Sequence, residues 1–360
     1  MTNIRVLIVD DNSMVRRLLC AILEQESDID VVGEAHDGRQ AVEMSKRLKP
    51  NVITMDLEMP VMGGMEAIET IMGSKAVPIL VVSDMANAQI AVEALTLGAL
   101  DVLPKPDCTE GKVKEFTDRV RLLAGVSVVT RRQLRPELAT TSSVSRASAT
   151  VGKPVSGLES ELYSGLYSGH VFAIACSTGG PQALAKILSE LPADFPCPVL
   201  ISQHIADGFA GGMVKWLGKL CKLSVRLAVD GDPLQAGKVL VSPSESHFAL
   251  TAKHRVVLLP VNPNDTYHPS CDVLLDSVAK VFGSLAVGII LTGMGMDGVA
   301  GIAKIHRTQG RTIAQNEASS LIYGMNRAAI ESGTVQQVLT LEDIVPAMLD
   351  IAHSRSSYDA

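Results

Sequence analysis

Apolar and polar positions along this chain repeat with two periods. The short runs IRVLIVD, VVGEA, NVITMD, VPILVVS and DVLPK have the length and β-branched content of strands. Segments with helical spacing separate them. In the first of these, Val15, Leu18, Leu19 and Ile22 share one face, while Arg16, Arg17 and Glu24 lie elsewhere. Strands alternating with helices predict a parallel sheet covered by crossover helices, with five of each in roughly the first 125 residues. The same alternation returns later. HVFAIAC, CPVLISQ and LAVGIILTG read as strands, PQALAKILSEL as an intervening helix, and the stretch from about Val225 to Pro260 as strand-rich. A second α/β domain with a doubly wound, mostly parallel sheet is expected there.

Between the two halves, RRQLRPELATTSSVSRASATVGKPVSGLESELYSGLYSG is rich in Ser, Thr, Ala and Gly and sustains no apolar period. It reads as a flexible linker. The expected division is 1–128 for the first domain, 129–168 for the linker and 169–356 for the second domain. A length of 360 residues suits two domains better than one core. Hydrophobic residues make up 47% and charged residues 20%, enough apolar material for packed cores and too little charge for a disordered chain. The formal charge of −7 argues against a grip on nucleic acid, and the arginines opening the linker read as solvated. MTNIRVLIVDDN meets two aspartates before any apolar stretch long enough for a signal peptide, and no run approaches the length of a membrane span. A cytoplasmic protein without membrane insertion is expected. Cys20, Cys108, Cys176, Cys197, Cys221 and Cys271 form no C-x-x-C pair, which predicts buried or incidental thiols rather than a zinc site or disulfides.

In open parallel sheets, function collects at the carboxyl ends of the strands. Asp10 and Asp11 end the first strand, Asp56 the third and Ser83 the fourth, and Lys105 follows the fifth. Singly, each has a structural alternative: an Asp there caps the next helix, Ser83 serves a turn, and Lys105 between prolines is solvated. Together they suggest a phosphoryl acceptor. Three converging carboxylates repel one another unless a hard divalent cation lies among them, and Mg²⁺ suits few carboxylates plus water and phosphate. Asp56 would attack phosphorus, Lys105 would neutralise the transferred oxygens, and the Ser83 hydroxyl would bond one of them. The motifs VDDNSMVR, ITMDLEMPVMGGMEAI, VVSDM and LPKP resemble, in order and spacing, the receiver domain of two-component response regulators. The resemblance implies a flavodoxin-like (βα)5 fold, Asp56 as phosphorylation site and Asp10 with Asp11 as the acidic pair. It also implies the Glu58 carbonyl as a further Mg²⁺ ligand, Ser83 and Lys105 as switch hydroxyl and phosphate-pairing lysine, and a sensor histidine kinase as phosphodonor. Val102 stands where receivers commonly carry an aromatic residue.

Strand ends in the second half carry a different set. Ser177 follows HVFAIAC, His204 follows CPVLISQ, and Asp297 follows LAVGIILTGMGM. Hydroxyl, imidazole and carboxylate are what nucleophilic acyl transfer needs, and one strand-helix-strand unit would set Ser177 and His204 on adjacent strands. The chain order Ser, His, Asp and the missing G-x-S-x-G elbow exclude the α/β-hydrolase arrangement. The glycines of STGGP permit close backbone approach, and Pro181 suits a helix start whose amides favour negative charge; a helix cap or anion-binding turn is the alternative. Cys176, the rival nucleophile, is turned to the opposite side by strand alternation. In LTGMGMDG, Met294 offers a backbone amide and an apolar wall, while the Asp-Gly pair at Asp297 has a turn as its alternative. His247 and His268 lie in loop-like segments and receive no role.

FAIACSTGGPQAL, ISQHIADGF, VLVSPSESHF, HPSCDVLLDS, GIILTGMGMDGVAGI and QNEASSLIYGMNRAAIESG resemble, in order, the catalytic domain of the chemotaxis protein-glutamate methylesterase (CheB) family. The resemblance implies Ser177 as nucleophile, His204 as general base, Asp297 as its orienting carboxylate, Met294 as an oxyanion-side residue, and Thr178 as a site-wall residue near the histidine. It implies a carboxyl-ester hydrolase without cofactor in its esterase domain. The substrate would be glutamate methyl esters of methyl-accepting chemoreceptors, with glutamine deamidation known among family members and activity controlled by receiver phosphorylation. Cys176 replaces a small residue, and IADG stands where Met-Pro is common after the histidine. The rival classes are a phosphorylation-gated docking module and a transcription regulator. The latter needs a helix-turn-helix and a basic face, and neither is evident.

Overall fold

The aliphatic runs of the N-terminal half become β1 (Ile4–Val9), β2 (Ile29–Ala35), β3 (Val52–Met55), β4 (Ile79–Ser83) and β5 (Asp101–Pro104). Five helices connect and follow them: α1 (Ser13–Leu23), α2 (Gly38–Leu48), α3 (Gly64–Ser74), α4 (Ala88–Leu97) and α5 (Glu110–Ala124). The structure, a computed structural model, describes residues 3–84, 88–107, 109–126, 128, 169–262, 265 and 267–354. The expected linker, 129–168, and Cys108 lie outside the described residues. All strand pairs of the first sheet are parallel, in the order β2-β1-β3-β4-β5. β3 and β4 are buried at every position, because helices cover both faces, so they read as continuous apolar runs rather than as alternation. Leu7 and Val9 face one apolar cluster, and Val6 and Ile8 the other. Strand order reverses between β1 and β3, which opens a crevice at the ends carrying Asp10 and Asp56.

The second half forms β6 (Val171–Cys176), α6 (Gly180–Glu190), β7 (Val199–Gln203), α7 (Ala210–Leu220), β8 (Ser224–Leu227), β9 (Lys238–Val241), β10 (Ser246–Leu250) and β11 (Val256–Pro260). Then follow α8 (Cys271–Phe282), β12 (Ala286–Ile290), α9 (Val299–Arg307), β13 (Arg311–Gln315), α10 (Met325–Glu331), β14 (Gln337–Leu339) and α11 (Leu341–His353). Seven strands make a parallel sheet in the order β14-β13-β12-β6-β7-β9-β8, and β10 with β11 forms a separate antiparallel pair. The first strand of this half, β6, lies between β12 and β7, so the order in which strands are added reverses there. That switch point is where such folds bind ligands.

The two domains pack against each other. α4 lies on α6 and α7, and one apolar cluster joins Ala91, Val92 and Leu95 of α4 to Met213, Val214 and Leu217 of α7. Gln182 Nε2 of α6 donates to the Ala99 carbonyl at 3.0 Å, and Lys219 Nζ meets Glu93 Oε1 at 2.5 Å. No described helix is long and apolar enough to cross a membrane.

Candidate active site and phosphoacceptor

Parallel pairing delivers Ser177 and His204 to the same place. Cys176 of β6 is in register with Gln203 of β7, and the His204 amide extends the ladder by donating to the Cys176 carbonyl at 3.0 Å. Both side chains line a cavity of about 850 Å³. The turn after Ser177 is tight: the Gly180 amide donates to the Ser177 carbonyl at 2.7 Å, and Gly179 adopts φ +80°, a left-handed backbone that favours glycine. Gly293 passes so near that a Cβ there would stand 2.7 Å from Ser177 Cβ. Gln203 Nε2 binds the carbonyls of Ser177 (2.9 Å) and His204 (2.7 Å), fixing both strand ends. Cys176 is fully buried in the apolar cluster on one face of the sheet, and burial pushes its thiol pKa up.

Asp297 arrives from β12, 2.7 Å from His204 Nε2. Its carboxylate also accepts the amides of Cys271 (2.5 Å) and Asp272 (3.0 Å) and the Ser270 hydroxyl (3.0 Å). These groups form the N-terminus of α8, capped by Ser270, where unpaired amides and the helix dipole favour an anion. Burial would raise the Asp297 pKa, but the bond to His204, its charge and the two amides more than offset this and hold it below the usual range. A neutral imidazole that donates Nε2–H to this carboxylate has its lone pair on Nδ1, the arrangement a general base requires. The Tyr267 ring stacks on His204 with centroids 5.1 Å apart and planes 8° apart. The Ser177 amide is engaged with the Thr292 carbonyl at 3.1 Å, so an oxyanion formed beside Ser177 needs a donor other than that residue's own N–H. Met294 lines the cavity and is 46% exposed.

The Thr178 hydroxyl pairs with Arg119 of α5, which also binds Asp101, so this residue beside the serine turns toward the other domain. His247 is a buried tether: its Nε2 meets Asp265 at 2.9 Å and its Nδ1 accepts the Ser270 amide at 3.0 Å. His268 lines the cavity and contacts the Ser244 carbonyl at 3.3 Å. Ser270, Tyr267, Gln203 and Arg119 were not singled out by sequence reasoning. HPSCD carried a signal for Ser270, a Ser before a helix, whereas the other three depend on tertiary contacts alone.

At the first sheet, ligand oxygens of Asp10, Asp11 and Asp56 lie within 4.8 Å of one another. Lys105 Nζ reaches Asp56 at 2.9 Å and Asp10 at 3.0 Å. Burial would lower the lysine's pKa, but these two bonds outweigh it and raise it. Asp56 is pushed above its ordinary value by burial and by Asp10, against the pull of Lys105. Ser83 Oγ is buried without a hydrogen-bond partner among the described residues, an orphan hydroxyl of a residue that lines a pocket together with Lys105. An oxygen-only carboxylate set beside an unsatisfied hydroxyl fits Mg²⁺ and a phosphoryl group.

Fold and sites define a class of receiver-linked hydrolases. A family model described as CheB methylesterase matches residues 172–348, and one described as response regulator receiver domain matches residues 6–115. The chain belongs to the CheB methylesterase family. It is 48% identical over 349 residues to protein-glutamate methylesterase/protein-glutamine glutaminase 3 of Paramagnetospirillum magneticum, covering 97% of this chain and 96% of that one. The protein-glutamate methylesterase/protein-glutamine glutaminase of Pyrococcus horikoshii is 36% identical, with 95% and 91% covered. The crystal structure of the Thermotoga maritima CheB methylesterase catalytic domain matches with a TM-score of 0.50 and 32% identity, over 51% of this chain and 99% of that one.

Proposed function

We propose that this chain is a phosphorylation-activated protein-glutamate methylesterase, acting in the cytoplasm on methyl-accepting chemoreceptors in chemosensory adaptation. The division into receiver (1–128), linker (129–168) and catalytic domain (169–356) belongs to the same reading. Ser177 Oγ attacks the glutamyl methyl ester, passing its proton to His204 Nδ1; the imidazolium, steadied by Asp297, returns that proton to departing methanol. Water then opens the acyl-enzyme by the same route. A glutamine side chain enters the same sequence with ammonia as leaving group. The Met294 amide is the candidate oxyanion donor. The observation that carries this reading is His204, with Nε2 committed to Asp297 and its ring lining the cavity that Ser177 also lines.

Regulation follows from what covers that cavity. Val102, Leu103, Lys112 and Arg119 of the first domain share its wall, which supports a reading in which the apposed first domain limits a receptor helix's access to Ser177. Asp56 would accept a phosphoryl group from a sensor histidine kinase, with Ser83 and Lys105 binding it, and the docked arrangement would loosen. Asp10, Asp11, Asp56 and the Glu58 carbonyl would hold Mg²⁺, which when bound neutralises charge on the phosphoryl oxygens.

Methanol release from methylated receptor membranes, with and without a small phosphodonor, tests both halves. Wild type should respond to the phosphodonor, Ser177→Ala should release none, and Asp56→Ala should lose the response. Undiminished biological output from Ser177→Ala would favour the docking module instead.

A further inference from the structure

Cysteine spacing predicts no zinc site, yet folding brings a thiol to the imidazole. Cys271 opens α8, and its Sγ lies 3.5 Å from His204 Nε2, the nitrogen that faces Asp297 at 2.7 Å. Sulfur, nitrogen and carboxylate oxygen all fall within 4.8 Å of one another. In a tetrahedral zinc site with Zn–S of about 2.3 Å and Zn–N of about 2.0 Å, those two donors stand roughly 3.5 Å apart. The thiol and imidazole already have that spacing, and the imidazole–carboxylate pair needs to open by only about 0.6 Å. We propose that His204 Nε2, Cys271 Sγ and Asp297 form a site for a thiophilic divalent cation such as Zn²⁺ or Cd²⁺, and that its occupancy switches the esterase off.

Donor chemistry selects the ion. A thiolate and a carboxylate bring two negative charges, so a divalent cation is neutralised in a buried setting where an unpaired charge is costly. Thiolate and imidazole favour zinc and its heavier relatives, whereas Mg²⁺ prefers the all-oxygen set around Asp56. Without the cation, the Cys271 thiol donates to the Ser202 carbonyl at 3.4 Å.

Proton bookkeeping explains the inhibition. The cation displaces the proton from Sγ and the one from Nε2; one of these returns to Nδ1, so the imidazole stays neutral with its hydrogen there. One proton per cation is released to solvent. Nδ1 is then a donor and cannot take the Ser177 proton. This consequence rests on His204 being the base; the binding site itself does not.

The experiment uses the reduced full chain in excess Mg²⁺, titrated with Cd²⁺. An ultraviolet thiolate-to-cadmium absorption band should saturate at one ion per chain, disappear in Cys271→Val, weaken at least about ten-fold in apparent affinity in His204→Ala, and persist in Cys221→Ser. Zn²⁺ should release one proton per chain and suppress methanol release. Cys271→Val and Cys271→Ser, each normalised to its own metal-free rate, should be at least about ten-fold less sensitive. The serine variant serves if valine impairs folding. A band that survives loss of the Cys271 thiol, or equal zinc sensitivity in wild type and both variants, overturns the site. A band that needs Cys271 and His204 but leaves methanol release untouched upholds the site and overturns His204 as base.

Discussion

Replacing Asp297 by Asn isolates what the carboxylate does for His204. Oδ2 receives His204 Nε2–H and the Cys271 amide; Oδ1 receives the Asp272 amide and the Ser270 hydroxyl. An amide side chain offers a single acceptor oxygen. If that oxygen takes the place of Oδ2, the NH₂ confronts the Asp272 N–H; if it takes the place of Oδ1, the NH₂ confronts the Cys271 N–H and forces the wrong tautomer on His204. Either orientation leaves one amide unpaired, costing about 1–3 kcal/mol of stability, and the negative charge facing the imidazolium is lost. Turnover should fall roughly 10²- to 10⁴-fold with a smaller change in KM, measured as methanol release after phosphodonor treatment. The carboxyl is held below its unfolded value of about 3.9, so its stabilisation is complete above that pH and fades as pH falls through the folded value. The melting temperatures of wild type and Asp297→Asn should therefore converge in acid. A loss of turnover under about five-fold would refute the orienting role.

Other perturbations probe the remaining parts. Asp56→Asn should abolish the phosphodonor response, and retention of that response would move the phosphorylation site elsewhere. Arg119→Ala combined with Gln182→Ala removes bonds to Thr178, Ala99 and Leu100, and should raise unphosphorylated turnover several-fold; an unchanged basal rate would exclude inhibition by domain apposition. In Gly180→Ala the new Cβ would stand 2.0 Å from Gln203 Oε1 and 2.9 Å from Cys176 Cβ, so thermal denaturation should show a loss of about 1–3 kcal/mol. A melting curve like that of wild type would mean the turn yields more easily than its packing suggests.

Much of this protein is written locally. Aliphatic runs such as NVITMD and VPILVVS specify buried parallel strands because helices cover both faces, and the residue after each run inherits a place at the sheet's functional edge. Asp10, Asp56, Ser177 and His204 were legible for that reason, and the turn at STGGP was legible because its glycines permit a close backbone approach, Gly179 taking the left-handed backbone that favours glycine. Contacts between distant segments were not. Which imidazole nitrogen meets a carboxylate, and that Ser270, Cys271 and Asp272 gather around Asp297 at the start of α8, depend on strands and helices finding one switch point. Tyr267 stacks on His204 only through the tertiary fold, and Arg119 reaches Thr178 only because two domains dock. Periodicity carries the secondary structure and the sheet edge, since both arise from neighbouring residues; partners across the fold are set by packing, which no stretch of sequence expresses alone.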